Sequence, residues 1–104
     1  MVVVSVFYPL SDATSFDMDY YLNSHVPLVQ RLLEPMGLRQ TKVLRGTASG
    51  SGGAPDFTVV VDLFFDDAES MGAALAAHGP ETQADIPNFT DATPIIQISE
   101  VVDL

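Results

Sequence analysis

The sequence predicts an α+β fold in the order strand–helix–strand–strand–helix–strand. Two observations carry this reading. The apolar period switches between two and about 3.6 along the chain. Proline, glycine and aspartate clusters punctuate the switches. With 104 residues, of which 47% are hydrophobic, the chain has the length and apolar content for one domain spanning 1–104.

Val2 to Tyr8 is almost wholly apolar and β-branched, as a buried central strand requires. Pro9 to Ser15 is rich in turn residues and ends it. From Phe16 the spacing changes: Met18, Tyr21, Leu22, His25, Leu28, Val29, Leu32 and Leu33 recur at threes and fours, one face of a helix. Ser15 or Asp17 caps its start. Pro27 lacks the N–H that would bond the Asn23 carbonyl, so a kink or break is expected near Ser24–Pro27, dividing the helix into two pieces. Pro35 and Gly37 end it.

Leu38 to Arg45 reads as a strand with mixed faces, and Gly46 to Pro55 as a flexible hairpin loop. That loop contains neither a phosphate-cradling glycine pattern nor a nucleophile elbow. Phe57 to Phe65 alternates as a strand, with Phe57, Val59, Val61, Leu63 and Phe65 on one face. Asp66 and Glu69 resemble a capping box opening the second helix. Met71, Ala74, Leu75 and His78 form its apolar stripe, Gly79-Pro80 breaks it, and Glu81 to Ile86 adds a turn or two. Pro94 to Val102 is the last strand. This order is the ferredoxin-like split βαβ arrangement, with a four-stranded antiparallel sheet and both helices on one face. The first and third strands are apolar on both faces, so the uncovered face is expected to pair with a second copy in a homodimer.

Four basic residues face fourteen acidic ones, a net charge of −10. Phosphate backbones and anionic membranes repel such a surface, so neither nucleic acid nor membrane is an expected partner. There are no cysteines, which removes disulfides, thiolate metal sites and a cysteine nucleophile and fits a cytoplasmic protein. The amino terminus has no basic n-region, and its apolar run is too short for a membrane span. The two histidines are far apart and belong to no H-x-x-x-H or E-x-x-H pair, so no metal or cofactor is expected.

His25 leads the candidates for chemistry. It shares a helical face with Tyr21, Leu28 and Leu32, so its ring is expected to point toward the sheet. There it either acts as an acid and base near neutral pH or is a satisfied core histidine. Tyr8 and Tyr21 are its natural companions: a phenol in an apolar cavity orients a carbonyl or a phenol, or else packs as core. Tyr20, one step round the helix, is placed at a surface or interface. Asn88 and Phe89 are expected at the pocket mouth or in plain turn roles, and Asp85 in a cation pair or a cap. Arg39, Lys42 and Arg45 lie within seven residues, but Lys42 points opposite to the other two. Edge protection suits them better than an anion site. His78, read as a helix end, suits the dipole there.

Three stretches, Phe16–Leu28, Ala84–Thr90 and Pro94–Val101, together closely resemble the EthD family of small dimeric α+β-barrel proteins. The tyrosine pair, His25 and Pro27 form the most specific part. The resemblance implies a ferredoxin-like fold that dimerises into an α+β barrel. It also implies an association with the breakdown of ethers and other small organic compounds, on a fold whose relatives include cofactor-free isomerases, cyclases and monooxygenases. The motif residues carried over are Tyr20, Tyr21, His25, Pro27, Asp85, Pro87 and Asn88. The expected function is therefore binding of a small apolar or aromatic molecule, either as a cofactor-free enzyme using His25 or as a non-catalytic carrier serving a degradation pathway.

Overall fold

The computed structural model describes residues 1–104. Strand β1 spans Val2–Pro9, β2 Leu38–Arg45, β3 Phe57–Phe65 and β4 Ile95–Glu100. They form one antiparallel sheet in the order β2-β3-β1-β4, with β1 between β3 and β4. This is the ferredoxin-like topology. Helix α1 comprises Met18–Tyr20, Tyr21–His25 and Val26–Leu33 in unbroken succession, and α2 is Ala68–Ala84. No helix is long and apolar enough to cross a membrane.

Alternation along the two central strands sets the core. Val4 and Tyr8 of β1 and Val59, Val61, Leu63 and Phe65 of β3 are buried on the helix side. The register pairs Val4 with Leu63 and Val6 with Val61, so these faces coincide. The opposite face carries Phe7 and Val60, with Leu44 and Ile95 at its two edges more than half exposed. Ser5 and its cross-strand partner Asp62 lie on this same open face, and the Ser5 hydroxyl donates to Asp62 at 2.6 Å.

The first helix does not separate at Pro27. Asp17 caps it by accepting the Tyr20 N–H at 3.0 Å. Over Tyr21–His25 it widens into a π turn, in which the Val26 N–H reaches back to the Tyr21 carbonyl. Pro27 then sits in the first turn of the resumed α-helix, where a missing N–H costs least. The extra width shifts the phase. The buried positions are Tyr21, His25, Val29 and Leu33, a uniform spacing of four, while Leu28 and Leu32 are only half-buried. Glu34–Met36 closes the helix as a 3-10 turn, and Gly37 at φ 108° turns the chain into β2. A Cβ at Gly37 would also press on Ser70 at 3.3 Å.

Three expectations about the second helix need correction. Its cap is Asp67, which accepts the Ser70 N–H at 2.7 Å, while Asp66 pairs with Arg39 at 2.8 Å. Gly79-Pro80 does not break it: α2 continues to Ala84 with Pro80 inside. A residue before proline normally leaves the helical region because its Cβ meets the proline ring, and Gly79 has no Cβ. His78 consequently lies within the helix, 3.7 Å from Glu81, and not at its end. On β2 the register slips between Leu38 and Gln40, which takes Arg39 out of the alternation it would share with Arg45.

Candidate functional site

Between the helices and the sheet lies a cavity of about 290 Å³. Its walls are mainly aliphatic, including Val4, Val29, Leu33 and Val61, and none of its lining residues is an aspartate, glutamate, lysine or arginine. Tyr8 from β1 and Tyr21 and His25 from α1 open into it. Thr41, Thr82 and Gln83 supply the remaining side-chain polarity.

Burial of the three aromatic residues is nearly complete: Tyr8 is 2% exposed, Tyr21 1% and His25 5%. Neither phenol hydroxyl bonds to another group of the chain, and the imidazole bonds only through Nδ1. No side-chain nitrogen or oxygen is both sealed off and unpartnered. The two hydroxyls and His25 Nε2 therefore each keep some accessible surface, and all three residues line the cavity. Burial pushes both tyrosines far above their ordinary 10.0, and the nearness of Tyr8 adds to the effect at Tyr21. They are neutral O–H donors.

Aromatic packing fixes these groups. Phe89 is the hub, with ring centres 5.6 Å from Tyr8, 5.0 Å from Tyr21 and 4.5 Å from His25. Tyr21 stacks on His25 at 5.6 Å, their planes 22° apart. Edge-on and offset contacts of this kind hold ring orientation beyond what area burial supplies. The Asp17 N–H donates to the Phe89 carbonyl at 2.7 Å, tying the start of α1 to the turn before β4.

Behind His25 stands a polar cluster. His25 Nδ1 lies 2.9 Å from Asp85 Oδ2. Asp85 Oδ1 accepts the Tyr20 hydroxyl at 2.7 Å and the Asn88 amide at 2.9 Å. Burial raises the Asp85 carboxyl, but the hydrogen bonds from Asn88, His25 and Tyr20 outweigh it and hold the group below its ordinary 3.8. Burial pushes His25 below its ordinary 6.5, although the Asp85 carboxylate pulls the other way. The hydrogen bond to Asp85 raises the Tyr20 phenol. The site thus holds a neutral imidazole against an ionised carboxylate.

Tyr8, Tyr21 and His25, singled out from the sequence, come together on the cavity. Asn88 and Phe89 do not line it; they stand behind His25, one bonding Asp85 and the other packing on the ring. The partnership of Tyr20 with Asp85 was not expected. Tyr20 is half-buried, and its hydroxyl points inward to Asp85.

A family model, the EthD domain, matches residues 12–93. An EthD-like protein from Ralstonia eutropha JMP134 is 39% identical, with a TM-score of 0.88 over 98% of this chain and 92% of that one. An ethyl tert-butyl ether D (EthD) family protein from Bacillus halodurans C-125 is 27% identical, with a TM-score of 0.78 over 98% and 99%. The fold is shared more widely: SnoaB, a cofactor-independent oxygenase from Streptomyces nogalater, superposes with a TM-score of 0.69 over 99% and 93% at 13% identity. No curated protein matches the chain. The domain match and the close Ralstonia relative agree with the tyrosine–histidine–proline stretch, and the chain belongs to the EthD family.

Proposed function

We propose that this protein is a cofactor-free acid/base enzyme acting on a small, neutral, largely apolar carbonyl compound, with His25 as the base. One observation carries the reading. Three polar groups without partners in the chain, the Tyr8 and Tyr21 hydroxyls and His25 Nε2, belong to residues that line a mainly aliphatic cavity. Two donors and one acceptor suit a carbonyl oxygen beside an acidic C–H. In that chemistry Nε2 takes the proton from the carbon next to the carbonyl. The C–H electron pair moves into the new C=C bond, and the carbonyl π pair moves onto oxygen. The resulting enolate oxygen is held by phenol O–H groups in a low-dielectric site. Return of the proton to the same or a conjugated carbon restores His25, so no oxidant is consumed.

The ligand is uncharged because no ionised side chain lines the cavity to neutralise one, and the net charge of −10 repels anions. A cavity of roughly 150 Å³ holds one benzene, so about 290 Å³ suits a molecule of two rings. A small, largely apolar organic ligand is in keeping with the Bacillus relative, an ethyl tert-butyl ether D (EthD) family protein. SnoaB, which shares the fold, is a cofactor-independent oxygenase, in keeping with a reaction that needs no cofactor.

The active form in this reading is a homodimer. Phe7, Val60, Leu44 and Ile95 make an apolar row across the sheet face that the helices leave open. Burying it against a second copy is the simplest way to remove it from water.

The test uses 2-tetralone, a neutral two-ring ketone with acidic α-hydrogens, in D₂O. Wild-type protein is expected to accelerate α-deuteration, and His25→Ala to abolish the acceleration while still binding the ketone. Binding without acceleration in the wild type would overturn the enzyme reading in favour of a carrier.

A further inference from the structure

We propose that Asp85, pinned by Tyr20 and Asn88, is a positioning residue that sets the tautomer of His25. The inference rests on the acid/base reading for its purpose but not for its geometry. A neutral imidazole carries one proton, on either nitrogen, and the partner of one nitrogen decides what the other presents. Asp85 Oδ2 lies 2.9 Å from Nδ1 and can only accept, because the carboxyl is ionised. The proton therefore sits on Nδ1, and Nε2 meets the cavity as a lone pair. Without the carboxylate, the buried ring would be free to turn a donor toward the cavity, and a donor cannot abstract a proton.

The carboxylate is itself held. Both Tyr20 and Asn88 donate to Oδ1, leaving Oδ2 for His25. Asn88 also reaches the Tyr20 hydroxyl at 3.4 Å. The π turn is what makes this sharing possible. Tyr20 and His25 are five residues apart, which in a regular α-helix separates side chains by about 140° around the axis. Over Tyr21–His25 the hydrogen bonds run across five residues, so the turn widens and brings positions five apart toward a common face. Tyr20 and His25 then grip the two oxygens of one carboxylate. A π turn costs helix regularity, and here it completes this cluster.

The arrangement makes a directional forecast for Asp85→Asn. Tyr20 and Asn88 still donate toward the former Oδ1 position, so the amide oxygen settles there. The amide NH₂ then faces His25 Nδ1, which must become the acceptor. The proton moves to Nε2, and the cavity meets an N–H where it met a lone pair. When Nε2 of the wild-type ring takes a proton from substrate, the same carboxylate stabilises the imidazolium without itself being protonated.

Long-range ¹H–¹⁵N NMR of the imidazoles reads the tautomer without any substrate. The chain has two histidines, and His78, whose Nδ1 lies 3.7 Å from Glu81, serves as the reference. At pH 8 wild-type His25 is expected to be the Nδ1–H tautomer, and Asp85→Asn to invert it to Nε2–H while His78 stays unchanged. Wild-type His25 as Nε2–H would overturn the proposal even if the variant does not fold. An unchanged tautomer in folded Asp85→Asn would overturn it equally. In the 2-tetralone assay Asp85→Asn is expected to lose at least about 100-fold in exchange rate. Failure of that assay in the wild type removes the acid/base reading alone, because the tautomer is measured independently of turnover.

Discussion

His25 and Asp85 stand 60 residues apart in sequence, yet Nδ1 of one lies 2.9 Å from Oδ2 of the other. The contact joins the π turn of α1 to the residue that follows α2. Burial of the imidazole at this contact makes folding stability depend on pH in a defined direction.

His25 titrates below its ordinary 6.5 because it is buried, so the unfolded chain binds its proton more readily than the native one. The contribution of His25 is complete above pH 6.5 and is lost as pH falls through the depressed native value. Asp85, held below 3.8 overall, adds a second loss at more acid pH. Urea unfolding of the wild type is expected to weaken from pH 7 downward, and His25→Phe to remove the part of that slope nearest neutrality. A wild type stabilised by acidification from pH 7 to 5 would contradict this assignment.

The hydroxyls of Tyr8 and Tyr21 bond to nothing in the chain, so removing them should spare the fold and weaken the ligand. Tyr8→Phe and Tyr21→Phe are each expected to change unfolding free energy by less than about 0.5 kcal/mol. Each should reduce 2-tetralone affinity roughly 5- to 10-fold, the value of one hydrogen bond of about 1–1.4 kcal/mol. Calorimetric titration alongside thermal melts separates the two effects. A large loss of stability would mean that the hydroxyls serve the core.

Phe65 is fully buried beneath the helices and anchors the end of β3 next to the Gly37 turn. Phe65→Ala is expected to cost about 3–5 kcal/mol, read from the urea midpoint at constant m-value.

Gly72 and Gly79 both lie inside α2, and a Cβ at either meets no other part of the fold. Gly72→Ala is expected to stabilise by about 0.5–1 kcal/mol through helix propensity. Gly79→Ala should forfeit that gain, because its Cβ would face the ring of Pro80. Equal gains at both positions in thermal melts would show that proline is accommodated by some other means.

Phe7 sits in the apolar row on the open sheet face, opposite Val60 and Ile95. In the proposed dimer, Phe7→Glu places a charge in the interface and is expected to shift the protein to monomer in light scattering, with helix content retained in circular dichroism. An unchanged mass would locate any self-association elsewhere.

Much of the fold was legible in the sequence because local physics determined it. Short apolar, β-branched runs in Val2–Tyr8 and Phe57–Phe65 mark strands, and Pro35 with Gly37 stops the first helix whatever surrounds it. Pro80 was misread because a helix-breaking proline is a prior and not a rule. Glycine before it relieves the clash, and packing of α2 on the sheet outweighs one lost hydrogen bond. Asp66 and Asp67 are adjacent carboxylates with equal capping capacity. Only the approach of Arg39 to the first, and the chain direction at the second, separates their roles.

The site divides the same way. Tyr21 and His25 are four apart on one helix, a spacing that survives the change from α to π, so their shared orientation was readable along the chain. Tyr20 was assigned to the surface because a period of 3.6 turns it away from His25. The π turn altered that phase, and nothing local to residues 20–25 specifies a carboxylate waiting 60 positions on. By itself the sequence determined the order of elements, the apolar faces and the imidazole on the inner face of α1. Tertiary structure decided the continuity of both helices, the cavity among Tyr8, Tyr21 and His25, and the grip of Tyr20, Asn88 and His25 on Asp85. The physical reason is that periodicity reports what each residue does to its own backbone and nearest turn. The state of a buried ionisable group depends on partners that only the folded chain brings within hydrogen-bonding distance.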